Sequence, residues 1–161
     1  MRPFSLPLCL VALPRRRLAL LALCLVGGIA SVTPNVARAD EPAEFRVIVH
    51  PKSSLRSARK GVLADAFLKK VTRWDDGEPI RPVDLRADSR VRRRFSEVVL
   101  RRSVGAVRSY WQQRIFSGRD VPPPELESDE SVIAFVAKYE GAIGYVSGGA
   151  KLVGVRELAY E

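Results

Sequence analysis

The chain of 161 residues has one histidine, His50, and two cysteines, Cys9 and Cys24. Two cysteines cannot build a disulfide framework or a four-cysteine zinc site. Residues 1–39 contain no Asp or Glu, and no apolar run approaches the roughly 20 residues that a membrane-crossing helix needs. Nor does any repeat of 20–50 residues appear, which leaves out solenoids and propellers. With 161 residues and 47% hydrophobic content, the chain suits one domain with a core and leaves no room for a large two-lobed enzyme.

The acid-free N-terminus has its own pattern. Arg15, Arg16 and Arg17 precede an apolar run from Leu18 to about Val26, continuing past Gly27 and Gly28 to Ala30. Ala37-Arg38-Ala39 then stands before Asp40. A basic start, a short apolar stretch and a small-x-small site describe a secretory signal peptide over residues 1–39. Arg15-Arg16-Arg17-Leu18 also loosely fits a twin-arginine export signal, so the two export routes stay open. Cys24 follows Leu23 inside the apolar run, which does not suit lipid attachment.

Removal of this segment changes the chemistry of what remains. Both cysteines leave with it, and with them any thiol chemistry. The formal charge of +9 also falls, because residues 1–39 hold five Arg; 22 basic residues then face 18 acidic ones, a net of +4. Such a balance suits a soluble exported protein that meets anions. It does not call for nucleic acid or for stable membrane insertion after cleavage. We therefore expect a periplasmic domain over residues 40–161.

Periodicity predicts the elements of that domain. Phe45–His50 is a short β-branched strand ended by Pro51. Ser57 is placed to cap a helix from about Ala58 to Lys69. Asp75-Asp76-Gly77 is a turn, and Ile80–Leu85 a second strand, with Pro82 marking an edge or early strand position. Asp88 or Ser89 caps a helix to about Leu100, carrying Val91, Phe95, Val98 and Val99 at helical spacing. Ser103 opens a helix that stops near Gly118, and Ser128 one that ends at Gly141. Between these two helices, Val121-Pro122-Pro123-Pro124 is a stiff connector. Ala142–Val146 and Val153–Leu158 are the last strands. Alternating strands and helices indicate an α/β or α+β domain with a mixed sheet, and a three-layer sandwich as its architecture.

Few residues offer chemistry. His50 at a strand end reads as a capping or surface residue rather than a metal ligand. Asp75, Asp76, Asp84 and Asp88 formally permit a paired-carboxylate hydrolase, but turns and caps account for them, and the chain reads as a non-enzyme without cofactor or metal. Trp74, Tyr110 and Trp111 could stack on a ligand, yet Trp111 shares helical spacing with Val107 and Ile115 and is expected in the core. The run Arg90, Arg92, Arg93, Arg94, Arg101 and Arg102 is read as the solvated face of an amphipathic helix, with phosphate-rich partners or anionic headgroups as the functional alternative. At the Asp88-Ser89 helix start, backbone N–H groups, a hydroxyl and the flanking Arg86 and Arg90 suit an oxyanion. Ser53-Ser54 is a weaker site of the same kind. Ser147-Gly148-Gly149 lacks the lysine of a phosphate-cradling nucleotide loop.

Three segments together carry a resemblance. Ala66-Phe67-Leu68-Lys69-Lys70-Val71-Thr72-Arg73-Trp74-Asp75-Asp76-Gly77-Glu78-Pro79-Ile80 resembles the I-F-x-G-K-x-x-x-W-x-D-G-x-x-I stretch of phosphate-type periplasmic substrate-binding proteins. Ser109–Gly118 resembles a tract of the small single-lobe members of that superfamily, and Glu140–Val146 resembles their G-A-I-G-Y-V strand. The resemblance spans Phe45 to Leu158. It implies one lobe of a type 2 periplasmic-binding-protein fold, a mixed sheet with flanking helices, and an exported bacterial binding protein. It also implies phosphate or another oxyanion as ligand and an ABC transporter or envelope protein as partner. Full-length members clamp phosphate between two lobes. Their phosphate motif is an arginine followed by Asp-Gly-Ser-Gly-Thr; here it is Leu85-Arg86-Ala87-Asp88-Ser89-Arg90-Val91. With Phe95 aligned, Ser89 keeps its identity, Arg90 and Val91 replace small residues, and Arg86 lies one position from the family arginine. The ligand-binding residues so implied are Ser89, Arg86, Arg90 and Asp88. An envelope interaction module that kept this fold and lost the ligand is the alternative.

Overall fold

The computed structural model describes residues 44–161, which lie within one compact unit, Arg38–Glu161. The expected signal peptide, residues 1–39, falls outside the described residues. Among the described residues, seven strands and four α-helices follow in the order β1 (Phe45–Val49), β2 (Ser57–Ala58), α1 (Lys60–Phe67), β3 (Arg81–Pro82), β4 (Asp84–Leu85), α2 (Arg90–Phe95), α3 (Val104–Phe116), β5 (Glu125–Leu126), α4 (Asp129–Lys138), β6 (Ala142–Ser147) and β7 (Arg156–Tyr160), with a π turn directly after α2.

Five strands form a mixed sheet in the order β2-β7-β1-β6-β3. The central strand β1 pairs antiparallel with β6 and with β7, while β2 and β3 run parallel to their neighbours. Pro82 lies on an edge strand, where its missing N–H breaks no ladder. The expected strand Ile80–Leu85 is split at Val83. Arg81 and Pro82 pair with β6, whereas Asp84 and Leu85 pair with β5 in a separate two-stranded sheet. Hydrogen bonding changes over at this point: the Val83 N–H donates to Ile143 O (2.9 Å) and the Asp84 N–H to Pro124 O (2.9 Å).

Strand alternation sends residues to two covered faces. On one, Tyr145 stacks on Phe95 (3.8 Å between centroids, 6° between planes). Phe95 also meets Phe67 of α1 and the edge of Phe45 of β1. These aromatic contacts fix α1 and α2 against the sheet. On the other face, Gly144 brings β6 close to α4. A Cβ there would sit 2.7 Å from Val132 Cγ1 and 2.9 Å from Val83 Cγ1, so glycine is needed for the approach itself. Val132 and Val136 of α4 are fully buried. Helices on both sides of a mixed sheet make the expected α/β layering.

Several expected details differ. Ser57 does not cap α1; it belongs to β2, because the open edge of β7 recruits it into a parallel pair. Arg59 stands at the helix start without a side-chain cap, and the Glu161 carbonyl accepts from the Lys60 N–H (2.8 Å). The helix expected to reach Leu100 is regular only to Phe95 and continues as a π turn over Ser96–Leu100, ended by Arg101 in the left-handed region (φ 52°). The wider turn lets both Val99 and Leu100 face inward. The last strand runs over Arg156–Tyr160 rather than Val153–Leu158, after Gly154 at φ 71° turns the chain. Ser89, Ser103 and Ser128 each cap a helix, accepting from the N–H of Arg92, Ala106 and Ser131.

Candidate functional site

The chain leaves β4 at Leu85, turns through Arg86, Ala87 and Asp88, and enters α2 at Ser89. The turn closes with the Ser89 N–H donating to Arg86 O (3.1 Å). Ser89 Oγ accepts from the Arg92 N–H (3.4 Å), which leaves the hydroxyl proton to donate elsewhere. Arg90 is exposed at the first helical position. Arg86 forks onto Asp88, with Nε to Oδ1 at 2.5 Å and Nη2 to Oδ2 at 2.6 Å, and its Nη1 donates to Glu127 Oε2 (3.2 Å). These hydrogen bonds hold the Asp88 carboxyl below its ordinary range and push the Arg86 guanidinium up. The four candidate residues thus share one turn at the start of α2. Arg86 already serves two carboxylates there, so an entering anion competes with Asp88 and Glu127 for the same donors.

Beneath this turn lies an arrangement that the charge pattern concealed. Arg92 is 3% exposed, not on a solvated face, and its Nη1 forms an ion pair with Asp84, also 3% exposed. Tyr145 completes the group. Its hydroxyl donates to Asp84 Oδ1 (2.9 Å) and accepts from Arg92 Nη1 (3.2 Å) and the Leu85 N–H (3.3 Å). Burial pushes the Tyr145 phenol up, keeping it a neutral donor. The group ties β4, α2 and β6 together and sets the position of the α2 start. Asp84 therefore holds an arginine rather than offering a free carboxylate. A signal did exist: Arg92 lies on the same helical stripe as Phe95 and Val99.

The other sequence candidates have structural work. His50 is buried, and its Nδ1 accepts from the Lys52 N–H (3.2 Å). Asp76 accepts from the Glu78 N–H and the Ser54 hydroxyl, which hold its carboxyl low, and Gly77 turns at φ 85°. Ser53 Oγ accepts from the Leu55 N–H (3.3 Å). A cavity of about 180 Å³ beside Ser53 and Ser54 is lined by Asp76, Glu78 and Glu140 against the single base Lys52, a poor lining for an oxyanion. Trp74 and Trp111 are buried, as the spacing of Trp111 predicts, and Tyr110 donates to Leu68 O (2.9 Å).

No family model matches the chain, and no curated protein matches its sequence. Solved structures do match. One is a phosphate ABC transporter substrate-binding protein from Clostridium perfringens with bound phosphate, at 20% identity and a TM-score of 0.59, covering 75% of this chain and 47% of that one. An ABC-type phosphate transport receptor from Vibrio cholerae matches at 15% identity and a TM-score of 0.52, over 73% of this chain and 46% of its own. PstS from Borrelia burgdorferi matches at 15% and 0.51, over 74% and 47%. The chain has the fold of phosphate-type substrate-binding proteins and spans about half their length.

Proposed function

We propose that this chain is an exported, non-catalytic binding module that holds an oxyanion, phosphate foremost, at the start of α2. The observation that carries this reading is the gathering of Arg86, Ser89 and Arg90 on one capped turn, in a fold shared with phosphate-binding proteins of twice the length. The Ser89 hydroxyl proton and the two guanidinium groups supply the donors, and the helix start favours negative charge. The Arg-rich leader over residues 1–39 supports export to the periplasm. The transport proteins that share this fold support an ABC transporter as the kind of partner such a module would serve.

One observation favours a second reading, an envelope interaction module that kept the fold and lost the ligand. Asp88 and Glu127 occupy the Arg86 donors that an anion would use. Thermal unfolding of residues 40–161 in phosphate, and in sulfate and chloride at matched ionic strength, separates the two. A ligand that binds only the folded state raises stability in proportion to RT ln(1 + [L]/Kd). Stabilisation by phosphate alone, reduced in Ser89→Ala, supports the first reading. No shift at millimolar phosphate supports the second.

A further inference from the structure

Helix α3 outruns the core that holds it. Val107 and Trp111 are buried, but past Trp111 no residue of the helix is. Ile115, expected beside them, is 50% exposed; Phe116 is 89% exposed and Val121, after the following turn, 61%. Three large apolar side chains therefore protrude at one helix end, and among the described residues Phe116 is left almost uncovered.

The charge along the helix and into its turn has one sign. Residues 101–119 contain Arg101, Arg102, Arg108, Arg114 and Arg119, and no Asp or Glu. Arg102 and Arg114 both lie over the Tyr110 ring, each 5.5 Å from its centroid, so positive charge runs along this side of α3 to its end. The next acid, Asp120, is taken by Lys69 (3.3 Å) and Arg114 (3.9 Å). Four backbone N–H groups of the turn are satisfied from within. The N–H groups of Ser117, Gly118 and Arg119 donate to the carbonyls of Gln113, Ile115 and Arg114, and the Val121 N–H donates to Asp120 Oδ1. Lys69 Nζ donates to the Val121 carbonyl (2.8 Å).

We infer that the C-terminal end of α3 and the turn to Val121 form a peripheral docking surface for an anionic lipid bilayer. Phe116, Ile115 and Val121 enter the interface, and Arg102, Arg114 and Arg119 meet the headgroups. Protruding apolar tips suit a deformable phase, and the N–H groups of Ser117, Gly118, Arg119 and Val121 approach it already paired. A second copy of the chain is a poor occupant, since a symmetric pairing would set the same arginines against each other. This inference does not rest on the oxyanion reading, which concerns the start of α2.

Sedimentation of residues 40–161, which carry their own core, with lipid vesicles tests it. We expect binding to vesicles of mixed phosphatidylcholine and phosphatidylglycerol and none to phosphatidylcholine alone. Phe116→Ala should weaken binding about tenfold or more. Arg119→Gln should weaken it about fivefold. Phe116→Trp should bind and shift its emission to the blue. Because Phe116 packs against so little, its variants should unfold at the wild-type temperature. Ser89→Ala should leave vesicle binding unchanged, which keeps this test apart from that of the α2 site. Absence of binding to the phosphatidylglycerol vesicles overturns the inference, as does binding that Phe116→Ala leaves intact. Capture by immobilised polyglutamate without vesicle binding also overturns it, in favour of an acidic protein partner.

Discussion

Arg86 and Arg92 each hold an aspartate, Asp88 and Asp84, yet one pair lies in water and the other in the core. The buried pair is locked by Tyr145 and joins three elements. The exposed pair spans two residues of one turn and is free to exchange partners. Desolvation makes the difference. An ion pair removed from water must be kept complete, because either charge left alone is costly. An exposed pair gains little from its attraction and gives way to a competing ion. The same residue chemistry is thus scaffold in one place and candidate receptor in the other.

The largest expected effect breaks the buried pair. Arg92→Ala leaves Asp84 uncompensated and should destabilise the domain by about 3–5 kcal/mol, read from urea unfolding. Replacing both partners, as Arg92→Met with Asp84→Leu, should recover most of that loss; if it does not, hydrogen bonding to Tyr145 matters more than charge. Tyr145→Phe removes the bridging hydroxyl and should cost about 1–3 kcal/mol by the same measurement. Ser89→Ala deletes the α2 cap, at about 1 kcal/mol, and should also diminish any phosphate-dependent rise in unfolding temperature.

The smallest effect on stability is the sharpest test of the exposed pair. Asp88→Asn should leave unfolding nearly unchanged while releasing Arg86, so that phosphate and sulfate bind more tightly in calorimetry. Acid should do the same to the wild type. Because Arg86 lowers the folded pKa of Asp88, the pair's small contribution is present above the unfolded carboxylate pKa and is lost as pH falls through the folded value. Sulfate, which keeps its charge there, should bind more strongly below the ordinary carboxylate range. Asp88→Asn should show a weaker pH dependence.

Much of the fold was legible in local pattern. The β-branched run at Phe45–Val49, the serine caps at Ser103 and Ser128, and the turn at Asp75-Asp76-Gly77 all depend on residues near one another in the chain. Ser57 misled for the opposite reason: its partner is Ala159, far along the chain, and only the folded sheet brings that edge within reach. The candidate site divides in the same way. Arg86, Asp88, Ser89 and Arg90 are neighbours, so their grouping on one turn follows from sequence. That Arg86 would also be engaged by Glu127 does not, since Glu127 follows β5, beyond the proline connector.

Charge shows the limit most clearly. Composition fixed the number of arginines, the acid-free N-terminal stretch and the small net charge of the rest. Periodicity placed the helices and the longer strands approximately, because backbone geometry repeats over a few residues, but not the short strands that exist only by pairing with distant segments. Which arginine is buried, which is paired across the turn and which faces solvent beside Phe116 was decided only by packing. Burial depends on what the rest of the chain brings to the same place, and Tyr145 and Asp84 come from strands, and Glu127 from just beyond one, that local pattern alone cannot assemble.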